Sequence, residues 1–436
     1  MKHFVSAAIM VAVILSCSGP KERKTWNNVD KELASAILCD RTLDVVDSMG
    51  HALLSNGYNA GSGYNQTWIR DFNTFIEAVL DVVEPEDVRN ALSNFFLMQQ
   101  GNGEILDGYV PVDEFEWDDD HTYISPSAPG FIGFKNTVET DQETSLVQAV
   151  RKYVERTGDR DFLSAVLAGK TVLERLKDAM DYLMREKLDP GSKLLTGALT
   201  SDWGDVENDP VNCVDIGPGS TVTVDIYDNA MMVIALRDMT FLDPEGQELW
   251  ESLRNGFEKN IRKFLWNAEE GRFVPHLYPD GKPSDLDFDE SLIYYHGGTA
   301  IAIEAGLLSK EEIRKANYDM MANVKASGMP SIGLTVYPTY PPGFFPGGMK
   351  DPFNYQNGGD WTWFGGRMIQ QLILNGFVAE AYQEIRPMLD RVIVNDDFYE
   401  WYGPGCVPRG SAAFKGSAGV LCKAIKLLKE WAEEVK

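Results

Sequence analysis

The chain has 436 residues, with 66 acidic against 40 basic side chains and a formal net charge of −26 at pH 7. A balance of that sign and size argues against nucleic acid or anionic lipid as a partner. Five histidines and five cysteines are scattered without a zinc spacing or a disulfide framework, so neither a metal nor another cofactor is expected.

In chain order, Lys2 opens a short positive region, and residues 4–15 form an apolar stretch too short to span a bilayer comfortably. The stretch ends at Ile14-Leu15-Ser16-Cys17, which resembles the lipobox of bacterial lipoproteins. The resemblance implies a signal peptide over 1–16, cleaved before Cys17, with lipid attached to Cys17 and a polar tether over 17–28. It also implies an outer-membrane location, on the periplasmic or the outer face; the alternative is an ordinary signal peptide that contains a cysteine. No later apolar run is long and uncharged enough to be a transmembrane helix. Residues 29–436 are then expected to form one catalytic domain.

Apolar periodicity over 29–436 predicts helices near 29–47, 69–82, 86–100, 140–157, 161–186, 223–240, 245–267, 290–305, 309–325, 360–375, 377–393 and 411–434, and almost no strands. Connections alternate in length. Those near 83–85, 158–160, 241–244, 306–308 and Gly376 are tight and carry helix stops such as Pro85, Gly158, Pro244 and Gly306. Those near 48–68, 101–139, 187–222, 268–289, 326–359 and 394–410 are long and rich in Gly, Pro, Tyr, Trp and Asp, and long loops in compact domains are usually functional. Between antiparallel helices every second connection lies at the same end, so the long ones share one rim. Helices 161–186 and 245–267 are charged on one side, an outer pattern, whereas 225–236 and 365–374 are apolar nearly all round, an inner pattern. Alternating outer and inner helices predict an all-α (α/α)6 toroid. A solenoid is the alternative, but no short sequence period recurs.

Four clusters fall in the long loops or on the helix turn that follows. Trp68-Ile69-Arg70-Asp71 can grip adjacent hydroxyls while an indole stacks on a C–H face, or it is a helix-start ion pair. Asp202-Trp203-Gly204-Asp205 sets two carboxylates around one tryptophan; an aromatic pocket raises a carboxyl's pKa, although a lone loop Asp usually caps backbone groups. Tyr355-Gln356-Asn357 with Trp361 points amides and flat faces into one space, and Asp360 there is expected to be a helix N-cap. Glu400, between Tyr399 and Trp401, is an acid among aromatics, where a surface ion pair is the bland alternative. Paired carboxylates amid aromatics, without histidine, cysteine or phosphate-loop chemistry, are the equipment of glycoside hydrolysis.

Those motifs, in this order, resemble the six-hairpin glycosidases: the glucosidase half of glycogen-debranching enzymes and the glucoamylase, trehalase and mannosylglycerate-hydrolase groups. Residues 140–147 with Tyr153, and 224–229, are similar to the inner helices following two of the loops. The resemblance implies an inverting hydrolase of an α-linked, gluco-configured oligosaccharide or glycoside, with Asp205 as acid and Glu400 as base. Asp202 stays open as the acid, because the family's tryptophan–carboxylate spacing varies. Trp68, Arg70, Asp71, Asp202, Trp203, Tyr355, Gln356, Asn357, Trp361 and Trp401 are implied to bind the substrate. The alternatives are a non-catalytic carbohydrate-binding lipoprotein, or another toroid activity such as a polysaccharide lyase, an epimerase or a glycoside phosphorylase.

Overall fold

The computed structural model describes residues 26–115, 122–209, 211, 213–283 and 286–436. The signal-peptide and lipobox readings, Cys17 included, lie outside the described residues, as does His121. The described helices begin with α1 (Asn28–Cys39), α2 (Arg41–Leu54), α3 (Ile69–Val79), α4 (Pro85–Met98), α5 (Gln142–Thr157), α6 (Asp161–Ser164) and α7 (Val172–Tyr182). They continue with α8 (Ile226–Leu242), α9 (Gln247–Phe264), α10 (His296–Glu304), α11 (Lys310–Ser327), α12 (Thr362–Leu374), α13 (Val378–Glu384), α14 (Arg386–Asn395) and α15 (Lys415–Val435). None of them is long and apolar enough to cross a membrane.

Six helices close a ring: α3 packs on α5, α5 on α8, α8 on α10, α10 on α12, α12 on α15, and α15 back on α3. Around it lie α2 on α15, α4 and α7 on α5, α9 on α8, α11 on α10 and α13 on α12. This is the double-ringed toroid expected from the alternation of helix character. The inner helices are buried nearly all round, α8 from Ile226 through Leu236 without interruption, while the outer α9 buries only Trp250, Phe257 and Ile261. Removing each such large apolar side chain from water contributes roughly 1.5–3 kcal/mol. Small residues let the inner helices meet closely: a Cβ on Gly419 of α15 would lie 2.4 Å from Phe75 Cβ of α3, inside van der Waals contact.

Several expected elements differ for local reasons. The helix over 29–47 breaks at Asp40, whose carboxylate accepts from Thr42 N (2.9 Å) and caps α2. The one over 161–186 is interrupted by a tight hairpin at 166–171, after which Thr171 and Glu174 form a reciprocal cap for α7. The one over 377–393 divides at Arg386-Pro387, because a proline inside a helix removes a backbone donor. Near 290–305 the helix starts only at His296. Strands are more frequent than expected, but short and, apart from the 166–171 hairpin, confined to the rim loops. The largest sheet has β1 (Thr67–Trp68), β2 (Gly108–Pro111), β3 (Thr122–Tyr123) and β4 (Phe131–Phe134) in the antiparallel order β1-β2-β4-β3. Two- to four-residue strands are too brief to show an alternating pattern in sequence. Cys39, Cys213, Cys406 and Cys422 are free thiols.

Candidate active site

Every inner helix is entered from a long loop, over 55–68, 99–141, 188–225, 265–295, 328–361 and 396–414. A cavity of about 220 Å³ opens at this end of the ring, and five of those six loops, or the helix turns just after them, line it; none of the described residues of 265–295 does. Ala60, Tyr64 and Trp68 come from the first loop and Arg70 and Asp71 from the first turn of α3. Asp107 and Asn136 come from the second loop, Trp203 and Asp205 from the third. Tyr355 and Trp361 come with Trp363 of α12, and Glu400 and Phe414 precede α15.

Arg70 organises one wall. Its Nε donates to Asp141 Oδ2 (2.5 Å), its Nη2 to Asp141 Oδ1 (3.1 Å) and its Nη1 to Asp205 Oδ1 (2.5 Å). Asp141, just before α5, is fully buried and also accepts from Tyr227 of α8 (2.6 Å). The two-pronged guanidinium–carboxylate contact fixes the plane of the arginine, and hence where it presents its third nitrogen. Asp205 is held from the other side by Gln356, whose Nε2 donates to Oδ2 (2.7 Å) while its Oε1 accepts from Asp205 N (3.1 Å). The Tyr355 hydroxyl lies 3.4 Å from the same Oδ2. Asp205 thus has a hydrogen-bonding partner on each oxygen and still keeps a face on the cavity.

The neighbouring carboxylate points elsewhere. Asp202 sits in the left-handed region (φ 58°), turning its side chain away from the cavity and under the start of α10, where it accepts from Gly298 N (2.9 and 3.1 Å). A Cβ on either Gly297 or Gly298 would fall 2.8 Å from an Asp202 oxygen, so the glycine pair makes room for the carboxylate. Burial pushes Asp202 up to about 8, opposed by the Gly298 and Gly297 amides. It is fully buried and does not line the cavity; it is a carboxyl hydrogen-bonded to the backbone at the start of α10, where the sequence reading expected a substrate contact.

Glu400 sits opposite a glycine. Its Oε1 accepts from Tyr64 (3.0 Å) and its Oε2 from Ser411 N (2.8 Å). A Cβ on Gly410, at φ 67°, would lie 2.3 Å from Oε2. Burial raises Glu400 to about 7, against the Ser411 and Tyr64 hydrogen bonds that lower it and with the charge of Asp205 adding to the rise. Two more carboxyls share the wall. Asp71 rises to about 7 through burial, countered by Arg70 and reinforced by Glu400, Asp205 and Asp141. Asp107, accepting from Asn136 N (2.6 Å), is also lifted to about 7 by burial, countered by Lys135 and Arg70.

Aromatic rings supply the flat surfaces. Trp203 meets Trp361 edge-on at 4.7 Å and lies tilted 5.1 Å from Trp363, and Tyr355 abuts Trp361 at 5.2 Å. Trp68 is backed by Phe134 and by Gly108, where a Cβ would meet its ring at 2.5 Å. Three expected contact residues stand behind this surface. Gln356 is buried and positions Asp205. Asn357 ties Tyr340 and Met349 through backbone hydrogen bonds, and Trp401 packs against Tyr355 at 6.3 Å. Asp360 is not the N-cap of α12; that position is Trp361. Asp360 is buried in an ion pair with Arg391 (2.8 Å) and accepts from Ser331.

Tyr64, Asp107, Asn136 and Phe414 line the cavity without having been foreseen, and Asp141 and Tyr227 hold its arginine. Asp141 carried a signal, since it immediately precedes an inner helix, where the other site residues gather. Tyr64 and Asp107 have no distinguishing neighbours in the sequence.

No protein-family model matches the sequence, and no curated protein matches it. Solved structures do. A GH63 mannosylglycerate hydrolase from Thermus thermophilus, in complex with glucose, superposes with a TM-score of 0.63 at 15% identity, over 87% of this chain and 99% of that one. A rhamnosidase from Klebsiella oxytoca with rhamnose bound gives 0.55 at 13% identity, over 88% of this chain and 63% of that one. A GH78 family rhamnosidase of a Bacillus species gives 0.58 at 15%, over 88% of this chain and 34% of that one. At such identities the likeness is one of architecture, and the chain has the (α/α)6 fold that these enzymes share.

Proposed function

We propose that this protein is a glycoside hydrolase that uses Asp205 and Glu400 as its acid–base pair. The observation that carries the reading is their convergence, from two different rim loops, on one small cavity walled by Trp68, Trp203, Tyr355, Trp361 and Trp363. An acid must protonate the leaving oxygen and a base must activate water on the opposite face of the ring, which gives inversion. The resemblance assigns Asp205 as acid and Glu400 as base, and the glycosidase neighbours of the same fold support the reaction class. One observation favours the reverse assignment: Glu400 is the carboxyl held near 7, while Asp205 accepts from the Arg70 guanidinium.

Leaving-group dependence separates the two assignments. The variant lacking the acid keeps most of its rate on a glycosyl fluoride or nitrophenyl glycoside, which leaves without a proton, and loses it on an alkyl glycoside. The variant lacking the base loses both. Asp205→Asn retaining the activated substrate supports the first assignment; Glu400→Gln retaining it supports the second. Sugar release unchanged in the double variant overturns hydrolysis by this pair, oligosaccharide binding without any release makes the protein a binding module, and phosphate-dependent products make it a phosphorylase.

The substrate we propose is the terminal sugar of a neutral α-glycoside, gluco-configured by analogy with the resembling families. The cavity is smaller than the roughly 300–1,000 Å³ of drug-sized ligand sites, which suits one sugar ring entering end-on. Among the described residues its only basic side chain is Arg70, already held by two carboxylates, so an acidic aglycone finds no partner there. We also propose export and anchoring through Cys17, resting on the lipobox-like segment; globomycin-sensitive processing and metabolic labelling by palmitate test it.

A further inference from the structure

Behind the cavity wall three carboxylates converge. Glu139, from the loop leading into α5, meets Asp225 and Asp228 at the start of α8, and one oxygen of each lies within 4.8 Å of the others. They are 2%, 1% and 0% exposed. Two of them have backbone donors: Asp225 accepts from Asp228 N (2.9 Å), and Asp228 accepts from Thr140 N (3.0 Å). Glu139 has none, and neither of its oxygens has a hydrogen-bond partner. The other charges acting on the group include Asp141, Asp202, Arg70 and Lys187; Arg70 is already shared between Asp141 and Asp205, and Lys187 interacts with Asp228 through space without an ion-pair contact. Among the described residues no lysine, arginine or histidine pairs with any of the three.

A buried carboxylate persists when a cation or a set of donors compensates it. Here the donors serve two carboxylates of three, and the third is aimed into the group unpartnered. We propose that Glu139, Asp225 and Asp228 hold one hard divalent cation, with calcium the best fit. The donor set is all oxygen, without the histidine or thiolate that zinc or copper sites employ. Oxygens within 4.8 Å of one another can share one cation, and calcium accepts a flexible set of carboxylates at about 2.3–2.6 Å, whereas magnesium demands near-octahedral geometry and retains several waters. Gly197 leaves the flank open, since a Cβ there would lie 2.9 Å from Asp228 Oδ2. Burial and mutual repulsion, which lift Glu139 and Asp228 well above the usual carboxylate range, are both relieved by a bound cation.

The site braces the reactive wall without touching it. Asp141 lies two residues beyond Glu139 and Tyr227 two beyond Asp225, and these are the groups that hold Arg70. A cation joining the starts of α5 and α8 fixes their separation and, through Arg70, the position of Asp205.

The experiment uses purified full-length chain stripped with EDTA and titrated with CaCl2, and separately with MgCl2, read by calorimetry, bound-metal analysis and thermal melting. None of these readouts depends on hydrolysis, so the metal site and the hydrolase reading fail independently. We expect one calcium per chain and a melting temperature raised by several degrees, in the wild type and in the exposed control Glu433→Gln, with magnesium binding at least tenfold weaker. Glu139→Gln abolishes binding and the calcium-dependent shift. If that variant does not fold, Glu139→Asp, which keeps the charge and withdraws it by a methylene, weakens calcium binding at least tenfold. No calcium bound by the stripped wild type overturns the proposal, pointing to a shared proton instead, as does unchanged affinity in whichever of the two variants folds.

Discussion

Replacing Glu400 by glutamine separates the electrostatic cost of the site from its chemistry. Ionised Glu400 is disfavoured in the folded chain, because burial lifts its pKa from 4.5 to about 7. Each pKa unit corresponds to about 1.4 kcal/mol, so holding the charged carboxylate in place costs about 3 kcal/mol once the pH is above the folded value. The sign follows from which state binds protons. Between pH 4.5 and 7 the unfolded chain has lost this proton and the folded chain keeps it, so the stability contribution is full below 4.5 and disappears by about 7. Glutamine imitates the neutral form and has no such dependence. It gives up part of the hydrogen bonding to Tyr64 or Ser411 N, at about 1 kcal/mol. Glu400→Gln is therefore expected to be slightly less stable than wild type at about pH 4 and about 2 kcal/mol more stable at about pH 8.5. For a chain of this length that is a change of a few degrees in the difference of melting temperatures. Calorimetry of both proteins from about pH 4 to 9 measures it, beside an activity assay in which the variant is inactive toward alkyl glycosides. A melting-temperature difference that does not vary with pH refutes the account of Glu400 as a carboxyl kept neutral by burial.

Gly410→Ala drives a methyl into Glu400 Oε2 and strains a backbone at φ 67°; kcat is expected to fall at least 100-fold with the circular-dichroism spectrum unchanged, and a loss under threefold contradicts the packing argument. Asp202→Asn weakens the anchorage of α10 by about 1 kcal/mol yet leaves kcat within about fivefold of wild type, because Asp202 is off the cavity; a thousandfold loss on alkyl glycosides would return it to the acid role. Trp68→Ala removes a stacking face, about 1–2 kcal/mol, and should raise KM by roughly 5- to 30-fold with kcat little changed, as steady-state kinetics on a cleaved glycoside will tell.

The linear chain carried the ring itself. Alternating helix character and alternating connection length are properties of consecutive residues, and the 225–236 and 365–374 segments declared themselves inner because their apolar side chains leave no solvent face. The common rim followed from connectivity alone. Boundaries were less legible where short-range chemistry intervened, as at Asp40, where a carboxylate caps a new helix, or at 166–171, where a hairpin interrupts a charged helix. Site residues divided in the same way. Trp68, Arg70, Trp203, Asp205, Tyr355, Trp361 and Glu400 stood in conspicuous company and line the cavity. Asp202 stood in equally conspicuous company and does not, since a left-handed backbone turns it toward Gly298 while Asp205, three residues on, faces Arg70. No neighbour in the sequence encodes that rotation. Tyr64, Asp107 and Asp141 matter through partners 336, 29 and 71 positions away. Periodicity is local and therefore readable along the chain, whereas the direction of a loop side chain and the charge it meets are set by contacts that exist only once the six loops stand around one mouth.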